Sequence, residues 1–433
     1  MTRSRISTLS EETCDFKIEI EKLVNSGHGL GRLNDGRVVF VQGVLPTETI
    51  RIKKLCKRRG AWWATEWRIE TPSPDRINNR CPVDERCGGC QFLFMIPQRE
   101  AMEKQNILKS SMQRAGIATP HGVQFHGHAF EQSRQRARLH FRAGHLGFFE
   151  AKSHKIVTAS YCRVLPEPSL QLIAKLETFF SNNAQLVGHI NVAILDQRLL
   201  PGEPLQMALA FHSDASPPSH ALQQLEKVLE SESQCHWARW NKTVLVAGAE
   251  KGLPLQWHHR RIYLHPDHFF QSNQRSWDTF WELIQRWEPF VDTGAIWDVH
   301  AGSGFLCSAL QRNQVIATEP DPFSFEQLIE HTKHAFPITA ERFLESPQEK
   351  DLISDLAGAI LDPPRTGLSR TLNDWLKASG PRRIAMFSCD LGTCIRDLKQ
   401  LLTAYEIASP IHILDVNPGT SRFETFVHLQ RNI

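Results

Sequence analysis

The sequence predicts a multidomain α/β protein, and three observations carry that prediction. Its 433 residues exceed what one core serves comfortably, so two or three domains are expected at roughly 150 residues each. From Phe16 to Arg68 the text reads as short strands broken by turns, which implies a small barrel. After His265 a pattern of strand, glycine-rich turn and helix recurs, which is how a parallel sheet with crossover helices is written.

Composition narrows the class further. With 41% hydrophobic and 22% charged residues the chain is globular, and no apolar run approaches the roughly 20 residues that span a bilayer. The stretch Met1 to Glu12 has neither the apolar core of a secretory signal nor the Arg-rich character of a transit peptide, so a cytoplasmic location is expected. Ten cysteines in so long a chain are not a secreted disulfide framework, and closely spaced ones in a reducing compartment bind metal or do chemistry. The net charge of +3 is too small to announce nucleic-acid binding, so local clusters must decide.

In the barrel, strands are expected at Ile18 to Val24, Val38 to Val41 and Thr49 to Leu55, with Gly27, Gly29 and Gly31 as turn residues. Arg51, Lys53, Lys54, Lys57, Arg58, Arg59 and Arg68 interleave with Trp62, Trp63 and Trp67. Cations hold phosphates and indoles stack bases, so the combination suits RNA; the competing reading is a solvated strand edge over a tryptophan core. Thr71-Pro72-Ser73-Pro74 reads as the linker that ends this domain. A helix follows from Gln98 to Arg114. The region from about 120 to 265 mixes strand and helix, with Arg134, Arg136 and Arg138 on one face of a strand as a phosphate ridge or a structural salt-bridge face.

Two clusters carry chemistry. Cys81, Cys87, Gly88, Gly89 and Cys90 form C-x5-C-G-G-C, and Cys162 is the nearest fourth thiol, a set that suits zinc or an iron–sulfur cluster. Its spacing is not the C-x3-C-x2-C of a radical enzyme. In the parallel-sheet region the strand Ile296 to His300 enters Ala301-Gly302-Ser303-Gly304-Phe305, after which Leu306 to Leu310 should begin a helix. The next strand, Val315 to Thr318, ends in Glu319, placed to hold ribose hydroxyls. A nicotinamide nucleotide would suit this much, but position 307 is Cys where a dinucleotide fold wants a third glycine; S-adenosylmethionine carries no phosphates and makes no such demand. Strands Ala359 to Leu361 and Ile384 to Phe387 deliver Asp362-Pro363-Pro364-Arg365 and Ser388-Cys389 to one sheet edge, with a helix expected from Thr393 to Leu402 and Cys394 packed within it. Glu424 stands just ahead of the strand Phe426 to Leu429.

In this order the pieces resemble the RNA 5-methyluridine methyltransferase family, particularly its TRAM-domain, iron–sulfur branch acting on 23S ribosomal RNA, over nearly the whole chain. The resemblance rests on Gly27-His28-Gly29-Leu30-Gly31, Val39-Phe40-Val41, the four cysteines, Phe269-Phe270-Gln271-Ser272-Asn273, the glycine turn, Asp362 to Arg365, Cys389 and Glu424. It implies an OB-like TRAM barrel at 13–71, a central α+β domain with the iron–sulfur cluster at 72–265, and a Rossmann-like class I methyltransferase domain at 266–433. It further implies a 4Fe–4S cluster on Cys81, Cys87, Cys90 and Cys162. S-adenosylmethionine would be held by Gln271, Asp298, Gly302, Gly304, Phe305, Glu319 and Asp362. Cys389 would add to carbon 6 of a uracil so that carbon 5 can take the methyl group, and Glu424 would remove the carbon 5 proton. The target base would leave its stack to reach the pocket. The implied partner is 23S ribosomal RNA, with tRNA as the alternative substrate and a catalytically weakened RNA-binding protein as a further one; no membrane partner is expected, and a monomer is the default.

Three departures from the family's text bear on the site. His300-Ala301 precedes the glycine turn, Asn417-Pro418-Gly419-Thr420 and Arg422 precede the base, and Asp390-Leu391 follows the nucleophile. The last puts a carboxylate beside a thiol that must ionise, which would raise its pKa unless compensated.

Overall fold

The computed structural model describes residues 11–432, apart from 79–80, 84–85, 152, 184–189, 198–201, 215–216, 249–251, 259, 312–313, 347–350 and 354–355. Most of the polar N-terminal stretch, 1–10, therefore lies outside the described residues. The chain forms two compact units, 1–80 with 90–118 and 419–421, and 81–89 with 119–418 and 422–433. No helix among the described residues is long and apolar enough to cross a membrane.

In the first unit five strands close a barrel, in the order Glu11–Leu23, Gly29–Arg32, Val38–Val41, Ala61–Thr71 and Thr49–Arg58. Strand alternation turns Ile18, Ile20, Val39, Val41, Ile50 and Ile52 into its core. The glycine-rich text around Leu30, expected as a turn, is a strand at Gly29–Arg32, because ladders on both sides supply hydrogen bonds that outweigh glycine's weak strand preference. The basic surface is partly spent within the barrel. Arg51 pairs with Asp15 and Glu70, Lys53 with Asp15 and Lys54 with Glu66, while Trp62 and Trp67 pack against the core. Lys57 and Arg37 lie over the Trp62 ring, at 5.6 and 4.8 Å from its centroid.

Glu48 is fully buried at the base of this barrel and fully used. Its oxygens accept from Leu45 N at 2.8 Å, Ser73 N at 3.1 Å and Arg76 Nη2 at 2.8 Å. The helix Pro97–Arg114 opens on a proline, whose missing N–H costs nothing in the first turn. It buries a Glu100–Lys104 pair at 2.7 Å, and Glu100 also accepts from Gly419 N at 2.7 Å.

In the second unit a seven-stranded sheet runs Thr243–Val246, Cys235–Trp240, Gln206–Ser213, Ile190–Gln197, Arg136–Arg142, His145–Phe149 and Ile156–Thr158. Helices Glu167–Asn182 and Ser219–Glu230 contribute Leu172, Leu176, Leu225 and Leu229 to a core shared with Leu139, Val192 and Leu209 of this sheet. On the strand Arg136–Arg142, Arg136, Arg138, His140 and Arg142 share the other face, as their alternation requires. Arg136 is a structural cation, donating from Nε to Pro266 O at 2.7 Å, while Arg138 is exposed.

A second sheet of nine strands carries the site. Its order is His334–Phe336, Val315–Thr318, Ala295–Asp298, Leu356–Leu361, Arg383–Ser388, Glu424–Arg431, Ile411–Leu414 and Val123–His126, with Tyr405–Ile407 also pairing with Glu424–Arg431. The first five are parallel, and Glu424–Arg431 runs against them. The helix expected from Leu306 does not form. Only a 3-10 turn, Cys307–Ala309, is present, and Leu310 is already extended. Ser308 Oγ donates to Phe305 O at 2.8 Å, and Ala309 N, which a helix would aim at that carbonyl, donates instead to Leu306 O at 3.0 Å.

Candidate functional site

Parallel strands end on one edge, and turns there can hold side chains that the strands themselves could not bring together. The strand Ala295–Asp298 ends in Asp298, which is wholly buried. Its Oδ2 accepts from Cys307 N at 3.2 Å and thereby closes the glycine turn; its Oδ1 has no hydrogen-bond partner. Within the turn, Gly304 has φ +82°, and a Cβ there would stand 3.0 Å from the His331 ring and 3.1 Å from Leu328. Only glycine meets both demands. Gly302 also has positive φ, at +55°, but faces open space, and its N–H donates to Glu319 Oε2 at 2.8 Å. Glu319 Oε1 accepts from Asp321 N at 2.7 Å. Each carboxylate oxygen keeps acceptor capacity beyond these bonds, which is what a ribose hydroxyl would use. Phe305 sits in an aromatic cluster, stacked on Trp257 at 4.7 Å and edge-on to Trp277 at 5.1 Å.

Three further candidate groups arrive from later elements. Asp362 follows the strand Leu356–Leu361, Cys389 follows Arg383–Ser388, and Glu424 opens Glu424–Arg431, which pairs with Arg383–Ser388 through Ser388 and Thr425. Cys389 feels the charges of Glu424 and Asp362, and Asp298 feels those of Asp362 and Glu319, so these acids and the thiol occupy one electrostatic site. Gln271 is hydrogen-bonded to Glu424, and Asn273 Nδ2 donates to Val416 O at 3.2 Å, tying that segment to the chain leading into Glu424. The second glutamate oxygen, Oε2, is buried without a partner.

This setting is hard on negative charge. Burial pushes Asp298 up to about 7, with Asp362 as the next cause. Burial and then Asp362 raise Glu424, and burial raises Asp362 itself. The Cys389 thiol is pushed up to about 11 by burial first, then Glu424 and Asp362, while Arg365 pulls it down. The expected penalty from Asp390 has a compensation. Its Oδ1 accepts from Thr393 N at 2.9 Å as the N-cap of the helix Leu391–Leu401, so its charge lies against the positive helix end. Cys394 is fully buried inside that helix, accepting a hydrogen bond from Thr425 Oγ1 at 3.4 Å.

Sequence reasoning missed the clamp on the Asp362 loop. Asp397 Oδ2 accepts from Leu368 N at 2.8 Å and Arg396 Nη2 donates to Thr366 O at 2.8 Å, so the helix that follows Cys389 also fixes the proline loop. Gly367, with φ +75° and a Cβ position 2.4 Å from Asp397 Oδ2, was the one signal of this contact in the text. His300, singled out in the sequence as a departure before the glycine turn, is lowered by burial to about 4, and its Nδ1 has no partner.

Among its described residues the cysteine loop offers the thiols of Cys81, Cys87 and Cys90 as metal donors. Cys162 is raised to about 11 by burial, with the charges of Cys87 and Cys81 adding to it, so these three thiols lie within electrostatic reach of one another. Cys90 is half-buried and belongs to the first unit. Among the described residues no group of three or more histidine, cysteine or acidic side chains is gathered closely enough to hold a metal.

Comparison with known proteins gives this site its context. Residues 15–56 match the TRAM domain family. An uncharacterised RNA methyltransferase of Thermotoga maritima is 25% identical, covering 95% of this chain and 98% of its own. A protein of Dichelobacter nodosus named 23S rRNA (uracil(1939)-C(5))-methyltransferase is 27% identical over 86% of this chain and 88% of its own. Among solved structures, the Pyrococcus abyssi tRNA (uracil-54, C5)-methyltransferase in complex with S-adenosyl-L-homocysteine superposes with a TM-score of 0.73 at 20% identity, covering 96% and 99% of the two chains, and so shares the fold. Over nearly its whole length the chain is thus similar to proteins named RNA methyltransferases, with a TRAM barrel at 15–56 and the fold of a tRNA uracil-C5 methyltransferase.

Proposed function

We propose that this protein transfers a methyl group to carbon 5 of a uridine in 23S ribosomal RNA through a transient bond between Cys389 Sγ and uracil carbon 6. The observation that carries the reading is the meeting of Cys389 with Glu424, whose buried Oε2 has no partner of its own. S-adenosylmethionine would supply the methyl group and a positive charge, and it fits a site with an open glycine turn and uncompensated buried acids. Gly302, Gly304, Glu319, Asp298 and Asp362 would hold it, with Phe305 backing the turn.

Cys389, once its proton is lost to solvent, would add to carbon 6 as a thiolate and so make carbon 5 nucleophilic towards the methyl group that S-adenosylmethionine supplies when bound. Glu424 removes the carbon 5 proton, and the carbon–sulfur bond to Cys389 breaks to return the thiolate. Gln271 orients Glu424 and the base, and Arg365 offsets negative charge on the thiol. The name of the Dichelobacter relative supports the ribosomal substrate. In this reading 13–71 grips RNA, 72–265 forms the central domain, 266–433 catalyses, and the protein works in the cytoplasm as a monomer. Cys81, Cys87, Cys90 and Cys162 would hold a 4Fe–4S cluster that fixes the loop around Gly88 and Gly89; the all-thiol donor set supports it, and iron and sulfide analysis after anaerobic purification tests it.

The reaction is tested by tritium release from RNA labelled at uracil carbon 5, with ribosomal and transfer RNA compared from a strain lacking the gene. Release from ribosomal RNA that disappears in Cys389→Ala is expected. Release from tRNA alone would reassign the substrate, and none from either RNA would overturn the enzyme reading.

A further inference from the structure

Away from the catalytic edge, a cavity of about 520 Å³ opens beside the hairpin His145–Phe149 and Ile156–Thr158, lined by Gly88, Gly89, Phe148, Phe149, Ser153 and His154 among others. The rings around it are arranged as a stacking site. His140 stacks on Phe149 at 4.1 Å and 24°, and His154 meets the same ring edge-on at 5.4 Å and 89°. The Arg142 guanidinium lies 6.0 Å from the Phe149 centroid, whereas Phe148, the preceding strand residue, turns its ring to the opposite face and packs on the sheet's hydrophobic core. The acid in the lining, Glu150, is neutralised by Arg86 at 3.2 Å. The rest of the wall is main chain: Ala151 N donates to Arg86 O at 2.8 Å and Gly88 N to Phe149 O at 3.4 Å, which lays the glycine pair along the hairpin.

We propose that this cavity is a nucleotide subsite, taking one unpaired base of the RNA substrate between Phe149 and His154 and its phosphate beside Arg142. Stacking on aromatic faces and cations beside them is the chemistry that recognises a base in single-stranded RNA. Charge complementarity favours RNA over a protein segment. Arg138 and Arg142 share a strand face with His140, whose ring stacks on Phe149, so a row of cations leads to the cavity. Aromatic and basic walls of this kind give affinity and placement, while the reacting base goes elsewhere, to Cys389. The subsite rests on the proposed RNA substrate.

The test uses the full-length protein and a short single-stranded RNA carrying 4-thiouridine at successive positions. Wild-type crosslinks should map to residues 148–154. Phe149→Leu and His154→Ala should each weaken RNA binding by about 5- to 100-fold, the range one base stack carries, and raise KM for RNA to match. His154 is exposed, so its variant keeps the fold. Val244→Ala, at the far edge of the same sheet, should leave affinity unchanged. Unchanged affinity in both pocket variants, crosslinks only elsewhere, or capture of a peptide in place of RNA would overturn the subsite. Crosslinking at the cavity without methyl transfer by the wild type would support the subsite and sink the methylation reading, and failure of the wild type to bind RNA would end both.

Discussion

Two buried glutamates show how differently the two units treat a charge. Glu48 in the barrel is fully enclosed and both oxygens are satisfied, by Arg76 and by two main-chain N–H groups. Glu424 is nearly as enclosed, yet one oxygen has no partner and its surroundings hold further acids. A carboxylate kept for stability is surrounded by donors, because an unpaired buried charge costs several kcal/mol. A carboxylate left incomplete stores that cost at a place where a ligand or a proton can relieve it.

The widest separation between the two should come from replacing each in turn. Glu424→Gln should lower kcat by about 10²- to 10⁴-fold, the usual worth of a general base, with no loss of thermal stability. A single-turnover assay should also show protein–RNA adduct accumulating, because the carbon 5 proton stays in place. Glu48→Ala should do the reverse, destabilising the fold by about 3–5 kcal/mol through the stranded Arg76, as read by denaturant unfolding. Wild-type stability on removal of Glu48 would break the comparison.

Next in size is the pH dependence of stability. Asp298 and Glu424 have folded pKa values above their ordinary ones, so the stability they contribute is present below about pH 4 and is lost as pH rises towards about 7 or 8. The melting temperature of the cofactor-free protein should therefore fall between about pH 5 and pH 8, and Glu424→Gln should flatten that slope. A flat wild-type profile would mean that these acids are compensated after all.

Smaller effects probe the turns. Gly304→Ala must hold a left-handed φ against His331 and Leu328, which should cost about 1–2 kcal/mol and weaken cofactor binding in calorimetry. Asp390→Asn keeps the cap and should change stability by less than about 0.5 kcal/mol, while Asp390→Ala should cost about 1 kcal/mol. If Asp390→Asn accelerated turnover severalfold, the cap would not be absorbing the charge.

Much of this fold was legible because periodicity is local. The strand Val315–Thr318 and the helix beginning near Pro97 lie where alternation and turn residues put them. The missed helix at Leu306 shows the limit: hydrophobic spacing there was helical, but the Ser308 hydroxyl takes the Phe305 carbonyl and Ala309 N turns to Leu306 O. In the site, strand ends in the sequence place Asp362 and Cys389 at one sheet edge, while the roles expected of Cys389 and Glu424 come from the family resemblance. Their surroundings were not legible, since the bond from Gln271 to Glu424 and the Asp397 clamp join residues far apart in the chain. Nor does any local pattern say that seven cations in the barrel region are partly consumed by Asp15, Glu66 and Glu70.

The strand Val123–His126 lies beside Ile411–Leu414, and the first unit includes residues 419–421. Neither the sheet nor the barrel unit is therefore complete until almost the whole chain has left the ribosome. At about 5–20 residues per second, the early strand waits tens of seconds or less for its neighbour with an unpaired edge. Closing so long a loop before any reward makes the last step of assembly slow. A protein truncated just before Ile411 should be a substrate for chaperones and proteases, even though every group assigned to cofactor binding has already been made.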